Sequence, residues 1–229
     1  MQTLLFTPFK AVLFDMDNTL FDFVSAMRRG CGAASEYLGV GSGSELLSYY
    51  LRWKYHFEDH TNLQDFMIAN NCFSVDSYLE AVKIFNDAML SDLRPYEGIE
   101  TVLETLKSCG YKLAVVSDAF SYTAKLRLEK TNLASFFDAG IYYDITGCKK
   151  PNFMPFEYAL GELGVKPYEA VFVGDSIRRD IEPSMYLGMT SIYAKYGDRN
   201  FFDAQADKFP RKILTAETPM DILRFICRK

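Results

Sequence analysis

Three apolar runs along the chain each stop at a polar residue. Ala11-Val12-Leu13-Phe14 stops at Asp15, Leu113-Ala114-Val115-Val116 at Ser117 and Asp118, and Ala170-Val171-Phe172-Val173 at Gly174 and Asp175. Residues 140–143 and 190–194 form two further short runs. Unbroken Val/Ile/Phe-rich runs of this length suit strands buried on both faces, as in a parallel sheet. Helical spacing lies between them. Ile99, Val102, Leu103 and Leu106 form an i, i+3, i+4, i+7 stripe closed by Gly110, and Phe156, Ala159, Leu160 and Leu163 repeat it before Gly164. Ile181, Met185 and Tyr186 predict a third helix ending at Gly188. Thr218-Pro219-Met220-Asp221 reads as an N-cap, a proline at the first helical position and an acidic first turn. Arg224, Arg228 and Lys229 then fall toward the negative end of that helix. Alternating strands and helices predict an α/β fold with a doubly wound, mostly parallel sheet.

The alternation is interrupted once. The stretch 21–110 is far longer than one crossover needs, and the stripe before Gly110 already supplies that crossover. Residues 21–93 are left over. Leu46, Leu47, Tyr50 and Leu51, then Tyr78, Leu79, Val82, Phe85 and Met89, give them helical spacing, and their Phe, Tyr and Leu content argues against disorder. The expected organisation is a core of residues 1–20 and 94–229 with an inserted helical domain of residues 21–93.

Open α/β sheets bind ligands beyond the carboxyl ends of their strands. Those ends carry Asp15 and Asp17, then Ser117 and Asp118, then Asp175 and Ser176, with Lys149 and Lys150 just before Pro151. A single Asp or Ser at a strand end is commonly a turn former; the whole set at three strand ends points to a site. Carboxylates held together repel unless a cation neutralises them. Hard oxygen ligands suit Mg²⁺, which keeps positions open for water and phosphate oxygens. A lysine beside them balances a bound oxyanion. Asp15 and Asp17 are spaced at the strand period, so both can face one site. One can attack as nucleophile while the other moves a proton.

Composition narrows the partners. The 229 residues are 49% hydrophobic and 24% charged, and 19 Phe with 15 Tyr supply a substantial core. A net charge of −5 leaves no basic footprint, so nucleic acid is not an expected partner. No apolar run reaches the roughly 18 residues of a membrane span, and residues 1–10 lack the pattern of a secretory leader. Cys31, Cys72, Cys109, Cys148 and Cys227 are scattered and fit a reducing, cytoplasmic setting. His56 and His60 are four apart but do not form H-E-x-x-H, and read as packed or solvated side chains. Arg28, Arg29, Arg52 and Lys54 read as solvated helix faces, and residues 39–43 as a helix connection.

Asp15-Met16-Asp17-Asn18-Thr19-Leu20 resembles the D-x-D-x-T signature of the haloacid dehalogenase superfamily. Val115-Val116-Ser117 resembles its second motif, Lys150-Pro151 its third, and Gly174-Asp175-Ser176-Ile177-Arg178-Arg179-Asp180 its fourth, G-D-x-x-x-x-D. The inserted helical segment between the first two motifs resembles the subclass with a helical cap there. This resemblance implies a Mg²⁺-dependent phosphatase acting on a small phosphorylated metabolite. It implies Asp15 as the nucleophile that becomes an aspartyl-phosphate, and Asp17 as general acid and then base. Thr19 would order the loop behind them, and Ser117 and Lys150 would contact phosphoryl oxygens. The metal would lie on Asp15 and Asp175, with Asp17 contributing through its backbone carbonyl, and Asp180 would support the metal or position Lys150. Asp118 and Ala119 follow Ser117 where Asn and Gly are common, and Asp118 joins the expected phosphate contacts. Asn152-Phe153-Met154-Pro155 stands where Asp-Pro is common. A nucleoside monophosphate or small sugar phosphate is the expected substrate, and a monomer or homodimer the expected state. Haloacid dehalogenase, sugar phosphomutase, a phospho-accepting receiver-like domain and a catalytically silent binding module are the alternatives.

Overall fold

The alternating pattern folds as a six-stranded sheet among the residues that the structure, a computed structural model, describes: 9–52, 54–199 and 213–227. The strands are β1 (Ala11–Phe14), β2 (Lys112–Val116), β3 (Ala139–Ile141), β4 (Ala170–Gly174), β5 (Thr190–Ala194) and β6 (Leu214–Ala216). All neighbours run parallel in the order β3-β2-β1-β4-β5-β6. Every residue of β1 and β4 is buried, which is why those runs are apolar at each position rather than alternating. The register sets Phe14 between Val115 and Val173, so the residues after β1, β2 and β4 leave the sheet at a similar level. Strand order reverses between β1 and β4, the switch point where such sheets leave a crevice.

The chain divides into two compact units, Met1–Asp22 with Pro95–Lys229, and Phe23–Arg94. The second holds α1 (Phe23–Leu38), α2 (Gly43–Leu51), α3 (Thr61–Ala69) and α4 (Val75–Asp92). The first holds the sheet with α5 (Ile99–Ser108), α6 (Ser121–Lys130), α7 (Tyr143–Thr146), α8 (Met154–Leu163), α9 (Glu182–Tyr186) and α10 (Asp221–Ile226). Both apolar stripes face the core: Ile99, Val102, Leu103 and Leu106 on α5, and Phe156, Ala159, Leu160 and Leu163 on α8. Phe156 packs on Phe172 of β4 with ring centroids 4.8 Å apart, within a cluster that includes Leu13, Ala114, Val116 and Ile141. Burying one such ring stabilises by about 1.5–3 kcal/mol. Gly164 ends α8 at φ 65°, a left-handed conformation that a Cβ would strain.

Four details differ from the pattern. The expected helix through Ile181 and Tyr186 is a π-helical turn, Ile177–Ile181, followed by α9. The N–H groups of Asp180 and Ile181 both donate to the Ser176 carbonyl, and the widened turn buries Asp180 while leaving Tyr186 77% exposed. β3 stops at Ile141 because Tyr142 already precedes α7. α10 starts at Asp221 rather than Pro219, since the Asp221 carboxylate turns back to accept the N–H groups of Glu217 and Thr218. β6 is too short to register as a pattern. Residues 1–8 and the basic positions Arg228 and Lys229 lie outside the described residues.

Within Phe23–Arg94, the rings of Tyr50 and Phe85 stack at 5.4 Å, and the His60 ring meets Phe85 edge-on at 5.2 Å. The Tyr50 hydroxyl and His60 Nδ1 share a 3.0 Å hydrogen bond. Burial pulls the His60 pKa below 6.5 and pushes the Cys31 thiol up to about 12. Leu51 and Leu79 belong to the sequence stripes but are exposed, and the buried face of α4 is Ala81, Phe85 and Met89. Ser42 and Ser74 cap α2 and α4 through the N–H groups of Glu45 and Ser77. Arg29 pairs with Asp92, and Arg52 and Lys54 with Asp65, as surface ion pairs screened by solvent. Among the described residues no helix is long and apolar enough to cross a membrane.

Candidate active site

The loop after β1 is held tightly. The Asp15 N–H donates to the Val173 carbonyl at 2.8 Å, extending the sheet by one step. The chain then turns through Asn18 at φ 62°, with Asn18 N–H on the Phe21 carbonyl and Leu20 N–H on the Met16 carbonyl. This fold-back brings the Thr19 hydroxyl to Asp15 Oδ2 at 3.2 Å. Asp15 Oδ1 accepts from Lys150 Nζ, which also donates to Asp180 Oδ1 at 2.6 Å. Asp180 Oδ2 in turn accepts the Ser176 N–H at 3.0 Å. One buried ammonium therefore ties the ends of β1 and β4 together.

Asp175, directly after β4, completes the cluster. Oxygens of Asp15, Asp175 and Asp180 lie within 4.8 Å of one another, and all three residues are buried. Asp175 Oδ1 is enclosed without a hydrogen-bond partner among the described residues. Burial, then repulsion from Asp15 and Asp180, raises its pKa well above the ordinary carboxylate value. Burial also raises Asp180, against the opposing pull of Lys150. For Lys150, burial lowers the pKa, but Asp15, Asp180 and Asp118 outweigh it and keep the amine charged. Lys150 and the Arg179 guanidinium offset part of the negative charge of the three enclosed carboxylates, and the unpartnered Asp175 oxygen is a fitting ligand for a divalent cation. The donor set is all oxygen and fits a hard divalent ion such as Mg²⁺. Among the described residues this is the group of metal-ligating side chains that converges, and His56 and His60 are not part of it.

The second strand end supports the first. Ser117 is buried, and its hydroxyl accepts the Ala119 N–H at 3.2 Å. Asp118 has partners other than an anion: Oδ1 accepts the Lys150 N–H at 2.8 Å, and Oδ2 lies 3.4 Å from the Arg179 guanidinium. Its negative charge repels phosphate, and both oxygens instead hold the Lys150 loop and Arg179 in place. The Asp17 carboxylate does not join the metal-ligating group and engages Arg127 on α6.

The model of haloacid dehalogenase-like hydrolases matches residues 12–194, which spans all four strand-end motifs. The chain belongs to this family. A glyceraldehyde 3-phosphate phosphatase of Methanocaldococcus jannaschii is 28% identical, covering 87% of this chain and 90% of that protein. The pyrophosphatase PpaX of Anoxybacillus flavithermus is 31% identical over 77% of this chain and 79% of its own. The crystal structure of a predicted phosphoglycolate phosphatase from Haemophilus somnus shares the fold, with a TM-score of 0.74 at 22% identity, covering 96% of this chain and 99% of that one. This haloacid dehalogenase-like hydrolase is a phosphatase-type enzyme.

Four residues at the hydrolase site escaped the reading of the sequence. Arg127 lies on a helix whose composition looks solvated. Arg179 lies inside the fourth motif, where the residue type itself carried no signal. Tyr196 and Gly197 follow β5 in a 3₁₀ turn, at a fourth strand end that the same rule could have flagged. The Tyr196 hydroxyl donates to the Thr19 carbonyl at 2.9 Å. A Cβ on Gly197 would collide with the Asn18 carbonyl, so only glycine lets this turn lie against the Asp15 loop.

Proposed function

We propose that the chain hydrolyses a small phosphate monoester through an aspartyl-phosphate on Asp15. The observation that carries this reading is the Asp15 carboxylate, held at the end of β1 by Lys150 and Thr19 inside a buried cluster of three carboxylates. Asp15 attacks phosphorus, and the bond from phosphorus to the leaving oxygen breaks as the new one forms. Asp17 gives that oxygen its proton. A water then attacks the same phosphorus, Asp17 takes the proton back, and the bond to Asp15 breaks to release phosphate. The Ser117 hydroxyl and Lys150 receive phosphoryl oxygens, and Lys150 also offsets charge on Asp15. Asp15, Asp175 and Asp180 would hold Mg²⁺, which supplies positive charge against the phosphoryl oxygens. Phosphoryl transfer needs mainly positioning and charge stabilisation, which this set provides.

The substrate class follows from the relatives named for glyceraldehyde 3-phosphate and pyrophosphate, both small and anionic. We therefore infer a small phosphorylated metabolite as the partner. The test is phosphate release from nucleoside monophosphates, triose and hexose phosphates, phosphoglycolate and an aryl phosphate, with and without Mg²⁺. Release that needs Mg²⁺ and disappears in Asp15→Asn is the expected result. A folded wild type that releases nothing, or an Asp15→Asn variant with full activity, overturns the reading.

A further inference from the structure

We propose that Arg127 is the positioning residue of Asp17, fixing the carboxylate that moves the proton in the phosphatase reaction. The inference rests on the role given to Asp17 above. Helix α6 reads Ser-Tyr-Thr-Ala-Lys-Leu-Arg-Leu-Glu-Lys and looks like a solvated surface helix. Arg127 nevertheless lies with Ala124, Leu128 and Thr131 on its buried face, at i, i+3, i+4 and i+7 spacing. It is 1% exposed and heads the largest wholly buried side chains of the described residues. One guanidinium nitrogen, Nη1, donates to both oxygens of Asp17, each at 2.7 Å.

Packing alone does not explain this residue. Enclosing a guanidinium carries a desolvation cost, and an apolar side chain of similar volume commonly serves a buried position as well or better. The arginine makes sense for what it holds. Its own helix is anchored at both ends. The Ser121 N–H and hydroxyl bind the Asp144 carboxylate at 2.7 and 2.6 Å, and Thr131 closes the other end with its N–H and hydroxyl on the Arg127 carbonyl. Asp17, two residues beyond the nucleophile in a turn, gains a fixed orientation from a rigid element 110 positions away in sequence. A proton donor kept in one orientation is the positioning that makes general acid catalysis effective.

The test separates proton transfer from structure by the leaving group. 4-Nitrophenyl phosphate expels an oxygen that needs no proton, whereas glycerol phosphate expels one that does. The value of kcat/KM reports the steps up to that departure. Arg127→Met fills the space without the charge, Arg127→Lys keeps a charge, and Asp17→Asn is the reference. Arg127→Met should lose kcat/KM about 100-fold on glycerol phosphate and less than about fivefold on 4-nitrophenyl phosphate, the bias of a lost general acid. On the aryl substrate kcat and KM should fall together, with a nitrophenolate burst, because the aspartyl-phosphate accumulates. Arg127→Lys should recover part of the loss. If Asp17→Asn shows this bias but both Arg127 variants lose equally on the two substrates, or lose only melting temperature, Arg127 is a structural residue and the proposal falls alone. If Asp17→Asn shows no loss, the role of Asp17 falls first and takes that of Arg127 with it. Arg127→Lys decides the matter should Arg127→Met not fold.

Discussion

Asp175→Asn should make the metal-free protein more stable as pH rises, while abolishing its response to Mg²⁺. The Asp175 carboxyl is 1% exposed, one of its oxygens has no partner among the described residues, and Asp15 and Asp180 stand beside it. Burial first, then those two carboxylates, lifts its folded pKa well above 3.8. A carboxyl raised in this way keeps its proton in the folded chain and sheds it in the unfolded chain. Its stabilising contribution is full below the unfolded value and is lost as pH rises toward the folded one. Within that window the loss is one proton's worth, about 1.4 kcal/mol per pH unit. At about 2–4 °C of melting temperature per kcal/mol for a chain of this size, that is about 3–6 °C per unit. Asparagine has no such proton to lose. Melting curves in EDTA, recorded from the ordinary carboxylate range upward, should therefore show the variant gaining on the wild type at that slope. Added Mg²⁺ should raise the melting temperature of the wild type, by binding the folded state, and leave the variant unmoved. Parallel curves for the two proteins across pH, or equal stabilisation of both by Mg²⁺, refute the reasoning.

Lys150→Met should abolish phosphate release and lower metal-free stability by about 3–5 kcal/mol, measured by urea denaturation in EDTA, because it strands Asp15 and Asp180 without their shared cation. Gly197→Ala should cut kcat at least about tenfold, because the new methyl displaces the Asn18 carbonyl and with it the Asp15 loop. Steady-state kinetics checks this, and circular dichroism should show the sheet intact.

The strands that carry the site were legible because burial on both faces leaves an unbroken apolar run, and each run ends where the chain meets polar chemistry. Asp15, Asp175 and Lys150 could be placed at one edge for that reason, and the structure brings them together. Asp118 was harder. Its neighbours come from a distant loop and from the π-helical turn, so its commitment to the Lys150 amide and Arg179 has no trace in its own spacing. Arg127 hid for the opposite reason. A charged residue on a polar helix predicts exposure, and only the partner, far away in sequence, reverses that expectation. The π-helical turn after Ser176 was illegible because helical spacing does not distinguish one backbone hydrogen-bond register from the next. The stripes through Leu51 and Leu79 show the same limit, since each sequence contains more apolar positions than its helix buries.

The bridge between Phe21 and Pro95, supported by the Tyr96 N–H on the Leu20 carbonyl at 2.9 Å, sets the departing and returning chain side by side at the edge of the sheet unit. Whatever is spliced between those two points enters through a doorway whose width does not change. The entropy of closing such an excursion grows only with the logarithm of its length, about 0.6 kcal/mol for each doubling. An ancestor could therefore exchange one helical segment for a longer or shorter one at almost constant thermodynamic cost, with Asp15 only a few residues upstream and undisturbed. Recombination at this doorway gives such a lineage a way to exchange its helical unit without rebuilding the sheet unit that carries Asp15.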